Sequence, residues 1–284
     1  MERTEKNKTL GATLYLVATP IGNLGDISER AKKVLSEVDF IAAEDTRNSA
    51  KLLNILGIRR EIISYHEHNK RESGERIIAR LALGESCALI TDAGMPAISD
   101  PGEDLVKLCY QNGIAVTVVP GACALVTALA LSGFSTKRFA FEGFLPANAG
   151  EKRARLDAVC RDTRTLIFYE APHKLRPTLA TLCEAFGKDR KISLCRELTK
   201  LNEEAREFTL EGAMEYYESN EPRGEYVLIV EGAKETEKAS PLCELTPTEH
   251  VKFYEETGFA RMDAIKKAAR ERGISKSEMY KLLL

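Results

Sequence analysis

Apolar residues recur along this chain in two rhythms. TLYLVA (13–18), FIAAE (40–44), IISY (62–65), CALIT (87–91) and AVTVV (115–119) are short, nearly unbroken apolar runs, which predict strands buried on both faces. The segments between them carry apolar residues three and four apart. DISERAKKVLSEV places Ile27, Ala31, Val34, Leu35 and Val38 at helical spacing, with Asp26 as the predicted cap and Glu29 as its capping-box partner. TRNSAKLLNILG predicts a helix stopped by Gly57, and ERIIARLALG and EDLVKLCYQNG continue the series. Strands alternating with helices predict a mostly parallel sheet with helices on both faces.

The rhythm changes near FSTKR (134–138), where a domain boundary is expected. A second set follows: FAFEGFL, the charged helix GEKRARLDAVCRD, TLIFYE (165–170), HKLRPTLATLCEAFG, KISLCREL (191–198), FTLEG and EYVLIV (225–230). Its strands lie closer together, so some can pair antiparallel. AKETEKASP (233–241) is polar and ends in proline, as a linker would. From 245 the pattern is helical: TPTEHVKFYEETG and RMDAIKKAARERG are amphipathic, and SKSEMYKLLL follows a Gly-Ile turn. The expected fold class is therefore α/β, with domains at 12–135 and 136–232 and a small helical domain at 245–284.

Composition changes this picture in a few places only. With 284 residues and 44% hydrophobic content the chain can bury two cores. A net charge of −2 makes the whole chain no general attractor of nucleic acid, so any RNA affinity must be local. Such a place exists: from Arg261 to Leu284 seven basic residues stand against three acidic ones, a surplus of four. Two short helices around a glycine turn with a basic face suit either a helix-turn-helix or an ordinary solvated helix pair. No run reaches the roughly 18 apolar residues of a membrane span, and MERTEKNKTLGA lacks a signal-peptide core, so a cytoplasmic protein is expected. The seven cysteines form no C-x-x-C and read as reduced thiols in apolar elements. His66 and His68 in YHEHNK lack a third ligand nearby, so no metal site is assigned.

In a parallel sheet, ligands bind beyond the carboxyl ends of the strands. Three such ends carry Gly- and Pro-rich loops: TPIGNLGD (19–26), DAGMPAISDPG (92–102) and PGACALVTALALSG (120–133). Three at successive strands point to one shared pocket. The first loop is not G-x-G-x-x-G, which disfavours NAD, and a P-loop is absent. Asp92 has the wrong charge for a phosphate. It suits a ligand with a positive group or sugar hydroxyls, and S-adenosylmethionine offers both.

In this order TPIGNLGDISERA, AEDTRNSAKLL, TDAGMPAISDPG, PGACALVTALALSG, FEGFLP, IFYEAPHKL, RELTK and GEYVLIVEG resemble the tetrapyrrole-methylase superfamily, and within it the rRNA-methylating branch. The likeness runs from about Leu14 to Gly232, and the basic tail 258–284 is similar to that branch as well. AEDTR followed by FYEAPHKL is its signature; Asn202 in RELTKLNEE departs from it, so no catalytic role is placed there. The resemblance implies two α/β/α domains, a homodimer, and S-adenosylmethionine bound between the domains. It implies methylation of the 2′-hydroxyl of a cytidine in the decoding region of 16S ribosomal RNA, free or in the small ribosomal subunit. It extends the cofactor site over Pro20, Asp92, Ala93, Gly94, Met95, Cys123, Ala124, Phe168 and Tyr169, although the last two also fit a plain core.

For acceptor activation the candidates are Glu44, Asp45 and Arg47, at the end of another strand. Neighbouring side chains of a strand point opposite ways, so Glu44 and Asp45 have different tasks. Arg47 suits a forked phosphate contact; alternatively Asp45 or Thr46 caps the next helix and Arg47 pairs with it. Arg196 and Lys200 in RELTK suit either RNA contact or interdomain ion pairs, and Lys266, Lys267 and Arg270 in the tail are further RNA-binding candidates. Lys152, Arg153, Arg155, Lys174 and Arg176 either extend a phosphate track or form solvated helix faces. Two other functions stay open: methylation of a small tetrapyrrole precursor, which would not need a basic tail, and a non-catalytic RNA-binding assembly protein.

Overall fold

Period-two alternation divides each strand of the first half between two cores. In a computed structural model, which describes residues 8–234, Leu242, 245–272 and 274–283, the five runs are β1 (Thr13–Val17), β2 (Phe40–Ala43), β3 (Glu61–Ser64), β4 (Cys87–Ile90) and β5 (Ala115–Val119). They form one sheet in the order β3-β2-β4-β1-β5, and each recorded pairing in it is parallel. Tyr15, Val17, Ile41, Ala43, Ala88 and Ile90 pack against α1 (Glu29–Glu37) and α2 (Thr46–Ile55). Leu14, Phe40, Ala42, Cys87 and Leu89 face the other way, onto α3 (Lys70–Ala82) and α4 (Glu103–Gln111). The sheet covered on both faces is thus present.

One boundary signal was misplaced. Ser28, not Asp26, caps α1, accepting from the Ala31 amide at 3.0 Å. Asp26 belongs to a single 3-10 turn, Leu24–Asp26, capped by Asn23. Both residues are good caps, and the extra turn moves the helix start by two positions.

The next helix, α5 (Ala124–Leu131), changes partners. Its sequence ALVTALAL has no polar stripe, and Leu125, Ala128 and Leu129 pack against Ile167, Cys195, Val227 and Ile229 of the second sheet. This helix, within the range 12–135 assigned to the first domain, covers one face of the second sheet. That sheet contains β6 (Phe139–Phe144), β7 (Thr165–Glu170), β8 (Lys191–Arg196), β9 (Glu204–Thr209) and β10 (Tyr226–Val230), in the order β6-β7-β10-β8-β9. Only β6 with β7 is parallel; β10 runs antiparallel to β7 and β8, as does β9 to β8. Its other face packs Leu166, Phe168, Leu194 and Leu228 against α6 (Ala149–Val159), α7 (Pro172–Phe186) and α8 (Leu210–Ser219). The sequence pattern missed α8: FTLEG reads as strand, but only FT ends β9, and Thr209 then caps a helix by accepting from the Gly212 amide at 3.1 Å.

Both sheets belong to one compact unit that runs to Glu231, and a second unit begins at Gly232. The expected linker lies, from residue 235 on, outside the described residues, as does Cys243. The second unit holds α9 (Pro247–Glu256), α10 (Arg261–Glu271) and α11 (Lys276–Leu282) around Val251, Tyr254, Ala264, Ile265, Ala268 and Met279. Capping boxes Thr246–Glu249 and Ser275–Glu278 start α9 and α11. His250 is fully buried there, with its ring nitrogens on Glu271 at 3.0 Å and Arg272 at 3.1 Å. Among the described residues no helix is long and apolar enough to cross a membrane, and no group of three His, Cys, Asp or Glu could hold a metal ion.

Candidate cofactor site at the strand ends

Gly94 is where the three loops meet. Its amide donates to the Thr19 carbonyl at 3.1 Å, and the Thr19 amide donates back to the Gly94 carbonyl at 2.9 Å. The Thr19 hydroxyl also donates to the Thr91 carbonyl at 3.1 Å. The loops after β1 and β4 are therefore clamped together. Gly94 has φ +88°, and a Cβ there would stand 3.2 Å from Ile21 Cγ2 and 3.6 Å from the Ala122 carbonyl oxygen of the third loop. A side chain at this point would meet strain and close neighbours at once.

Beside this clamp lies a cavity of about 470 Å³. Ile21, Ala93, Gly94, Met95, Asp100, Cys123 and Ala124 come from the first sheet's loops; Phe144, Tyr169, Ala171, Pro172, Leu198 and Val227 come from the second sheet. The wall is mainly apolar with polar groups at distinct points, as a small-molecule site requires. Two helices begin on it. α5 starts at Cys123–Ala124 and α7 at Ala171–Pro172, and neither has a side-chain cap. Their first-turn amides and dipoles favour an anionic group. Two of those amides are taken and Pro172 has none: the Leu125 N–H donates to Tyr169 Oη at 3.1 Å, and the Lys174 N–H to the Ala171 carbonyl at 3.0 Å. Burial pushes the Tyr169 phenol well above its usual range, so it stays neutral.

Carboxylates also stand on the wall: Glu170 accepts from the Ala171 amide at 2.9 Å, Glu225 pairs with Lys200 at 2.7 Å, and Asp100 lies among the first sheet's loops. Burial, with the charge of Glu44 next in importance, raises the Asp100 carboxyl to about 6, and a hydrogen bond with Thr91 opposes the shift. Glu44 itself accepts from the Thr91 hydroxyl at 3.1 Å. At neutral pH Asp100 is an incompletely solvated carboxylate on the cavity wall, suited to a cation or to ribose hydroxyls. An anionic end at the helix starts and a cationic or hydroxyl-bearing part at Asp100 match the charge pattern of S-adenosylmethionine.

The structure sorts the expected site residues. Ala93, Gly94, Met95, Cys123, Ala124 and Tyr169 line the cavity. Three do not. Pro20 is replaced on the wall by its neighbour Ile21. Asp92 is exposed, and Asn48 Nδ2 donates to it at 3.1 Å; of the two aspartates in this loop it is Asp100 that lines the cavity. Phe168 is fully buried in the core beneath α7, because strand alternation turns it away from its neighbour Tyr169. Sequence reading passed over Ile21, Asp100, Phe144, Pro172 and Val227. All of these stood inside the quoted motifs, but period alone does not tell which side of a loop faces inward.

Among the acceptor-activation candidates, Asp45 is the N-cap of α2, accepting from the Arg47 amide at 2.8 Å. Arg47 is 87% exposed and lies 3.4 Å from the Asp45 carboxylate. The capping alternative describes this pair. Glu44 points instead toward Thr91 and the Asp100 side. Arg196 lies 3.4 Å from Glu204, and Lys200 is held by Glu197 at 2.8 Å and Glu225 at 2.7 Å. Both therefore stand in ion pairs of the second sheet's end. In the helical unit Lys266 is exposed near Asp263, whereas Lys267 lies over the rings of Tyr254 and Phe259 at 4.5 and 4.4 Å. The Arg270 side chain lies outside the described atoms. Asn202 is exposed in a turn, and the His66 and His68 rings meet edge to face at 6.0 Å.

Comparison with known proteins agrees with this fold. The profile of the Tetrapyrrole (Corrin/Porphyrin) Methylases matches residues 13–213. The chain is 47% identical over 272 residues to the ribosomal RNA small subunit methyltransferase I of Halalkalibacterium halodurans, covering 95% of this chain and 94% of that one. It is 45% identical over 270 residues to the protein of that name in Bacillus subtilis, covering 94% and 92%, and 52% identical over 222 residues to that of Pseudomonas aeruginosa, covering 78% and 79%. Among solved structures, uroporphyrin-III-C-methyltransferase from Thermus thermophilus superposes with TM-score 0.56 at 20% identity, over 78% of this chain and 94% of that one. A cobalt precorrin-4 methyltransferase does so with TM-score 0.58 at 16% identity, over 78% and 95%. The chain shares its fold with these structures, and it belongs to the tetrapyrrole (corrin/porphyrin) methylase family.

Proposed function

We propose that this protein transfers the methyl group of S-adenosylmethionine to the 2′-hydroxyl of a cytidine in the decoding region of 16S ribosomal RNA. The observation that carries the cofactor assignment is the paired polarity of the cavity: uncapped helix starts at Ala124 and Pro172 on one side, a desolvated Asp100 on the other. The substrate class follows the relatives, which share 40–52% of their residues with this chain.

Bound there, S-adenosylmethionine supplies a methyl on a good leaving group, so no metal is required. The chain's part is geometry: a rigid backbone cradle at Gly94, prolines at 96 and 101, and walls that exclude water from the reacting atoms. The ribose hydroxyl is a poor nucleophile that gains from a base. Of the candidates, Glu44 takes the acceptor-side role, since Asp45 is engaged as a cap. Arg47, exposed at the strand ends, takes a phosphate. The helical unit adds phosphate contacts through Lys266 and the neighbouring basic residues. Exposed apolar side chains on β5 and α5, Val118, Val126 and Leu131, support self-association as a homodimer. A cytoplasmic location suits such a substrate.

The test is nucleoside mass spectrometry of small-subunit rRNA from cells with and without this gene product. A 2′-O-methylcytidine present only with the protein is expected; unchanged nucleosides would refute the substrate. Removing residues 245–284 is expected to abolish methylation while leaving cofactor binding intact.

A further inference from the structure

A second cavity opens against the edge strand β6. It measures about 480 Å³ and is lined by Glu142, Phe144, Pro146, Glu151 and Arg155 among others. The strand is irregular at this point. Phe141 pairs with Ile167 and Gly143 with Phe168, so Glu142 is an extra residue in a bulge, and Gly143 takes φ +65° to close it. In a regular strand Phe141 and Phe144, three positions apart, would face opposite ways. The bulge brings both rings onto Tyr169, with centroids at 4.9 and 5.6 Å. Phe144 consequently forms a wall of the cofactor cavity and of the second cavity at once.

The bulged residue carries the chemistry. The Glu142 side chain is 8% exposed; its Oε2 is buried without a hydrogen-bond partner and stands 2.7 Å from Nε of Arg155, an ion pair by distance whose arginine side chain is 52% exposed. An ion pair drawn out of water contributes little net stability. Here it floors a cavity beside the methyl-donor site. A carboxylate accepts from the exocyclic amine of cytosine, and a guanidinium donates to a ring acceptor. Single-stranded RNA is read in this manner, with the base splayed onto an aromatic face and bonded at its edge. Arg153 on the same helix is 81% exposed and free to meet the adjacent backbone phosphate alongside its pairing with Asp157.

We propose that this cavity seats the unstacked target base, with Phe144 against its face and the Glu142–Arg155 pair reading the Watson–Crick edge of cytosine. The proposal rests on the RNA-methyltransferase reading above and assigns it a base-recognition subsite. Uracil would set a carbonyl oxygen against the Glu142 carboxylate and would be rejected.

Two small-subunit RNA substrates that differ only in C or U at the modified position test this, with kcat/KM for methyl transfer as readout. The wild-type protein should favour C by roughly 5- to 150-fold. Glu142→Gln leaves the half-exposed guanidinium hydrated and offers an amide that both donates and accepts, so the preference should collapse to within about threefold. Arg155→Lys keeps the charge but loses the fork, and should lower the preference partway. Cofactor affinity, measured by calorimetry, should be unchanged in both. An unaltered C-over-U ratio in the two active variants would overturn the subsite alone. A wild-type protein that methylates neither RNA would overturn the underlying reading together with it.

Discussion

Asp100→Asn is expected to weaken S-adenosylmethionine binding by roughly 10- to 150-fold at pH 7.5, the range for losing one charge-assisted hydrogen bond. The effect should depend on pH in a defined direction. Asp100 titrates near 6 because burial and Glu44 disfavour its charge. A ligand that prefers the carboxylate binds best above that value and loses affinity as pH falls through it. The folded protein itself behaves oppositely: a carboxyl raised from its ordinary 3.8 to about 6 holds its proton more tightly when folded, so its contribution to stability grows as pH falls through 6 and is lost above it. Calorimetric titrations between pH 5.5 and 8 should thus show falling affinity on acidification for the wild type and a flatter profile for Asp100→Asn. Equal profiles would remove Asp100 from the site.

The second large effect separates two neighbouring aromatics. Phe168→Ala empties a fully buried site beneath α7 and should cost about 3–5 kcal/mol, lowering the melting temperature by roughly 6–20 °C. Tyr169→Phe removes only the hydroxyl that accepts from the Leu125 amide, and should cost about 1 kcal/mol while leaving the cavity wall in place. Thermal denaturation of the two variants decides the point. A larger loss for Tyr169→Phe than for Phe168→Ala would reverse the assignment of core and cavity.

That pair also shows how far sequence reading reaches. FYE in a strand announces two aromatics facing opposite ways, but not which one faces the ligand. The answer depends on the partner strands: Tyr169 shares the face of Ile167, which α5 covers, and Phe168 shares that of Leu166 and Leu228. The parallel first sheet was legible because its runs are apolar on both faces and its helices have clear stripes. The side taken by α5 was not legible, since a helix without a polar face gives no direction and is claimed by the larger bare surface. Asp92 was favoured over Asp100 because it directly follows the strand. In the structure β4 ends at Ile90, Thr91 beyond it is buried and Asp92 turns outward, and the turn with Ala97 and Ser99 at positive φ carries the chain back so that Asp100 lines the cavity. The Glu142 bulge leaves no mark on periodicity beyond a glycine, which FEGF shares with many ordinary strands.

Diffraction from crystals soaked with S-adenosylmethionine, or with its demethylated product, bears most directly on the whole account. The expected density fills the cavity beside Gly94, with the ligand carboxylate toward the first turns of α5 and α7 and the ribose at Asp100. An ordered ligand elsewhere on the protein, with this cavity left solvent-filled, would contradict it.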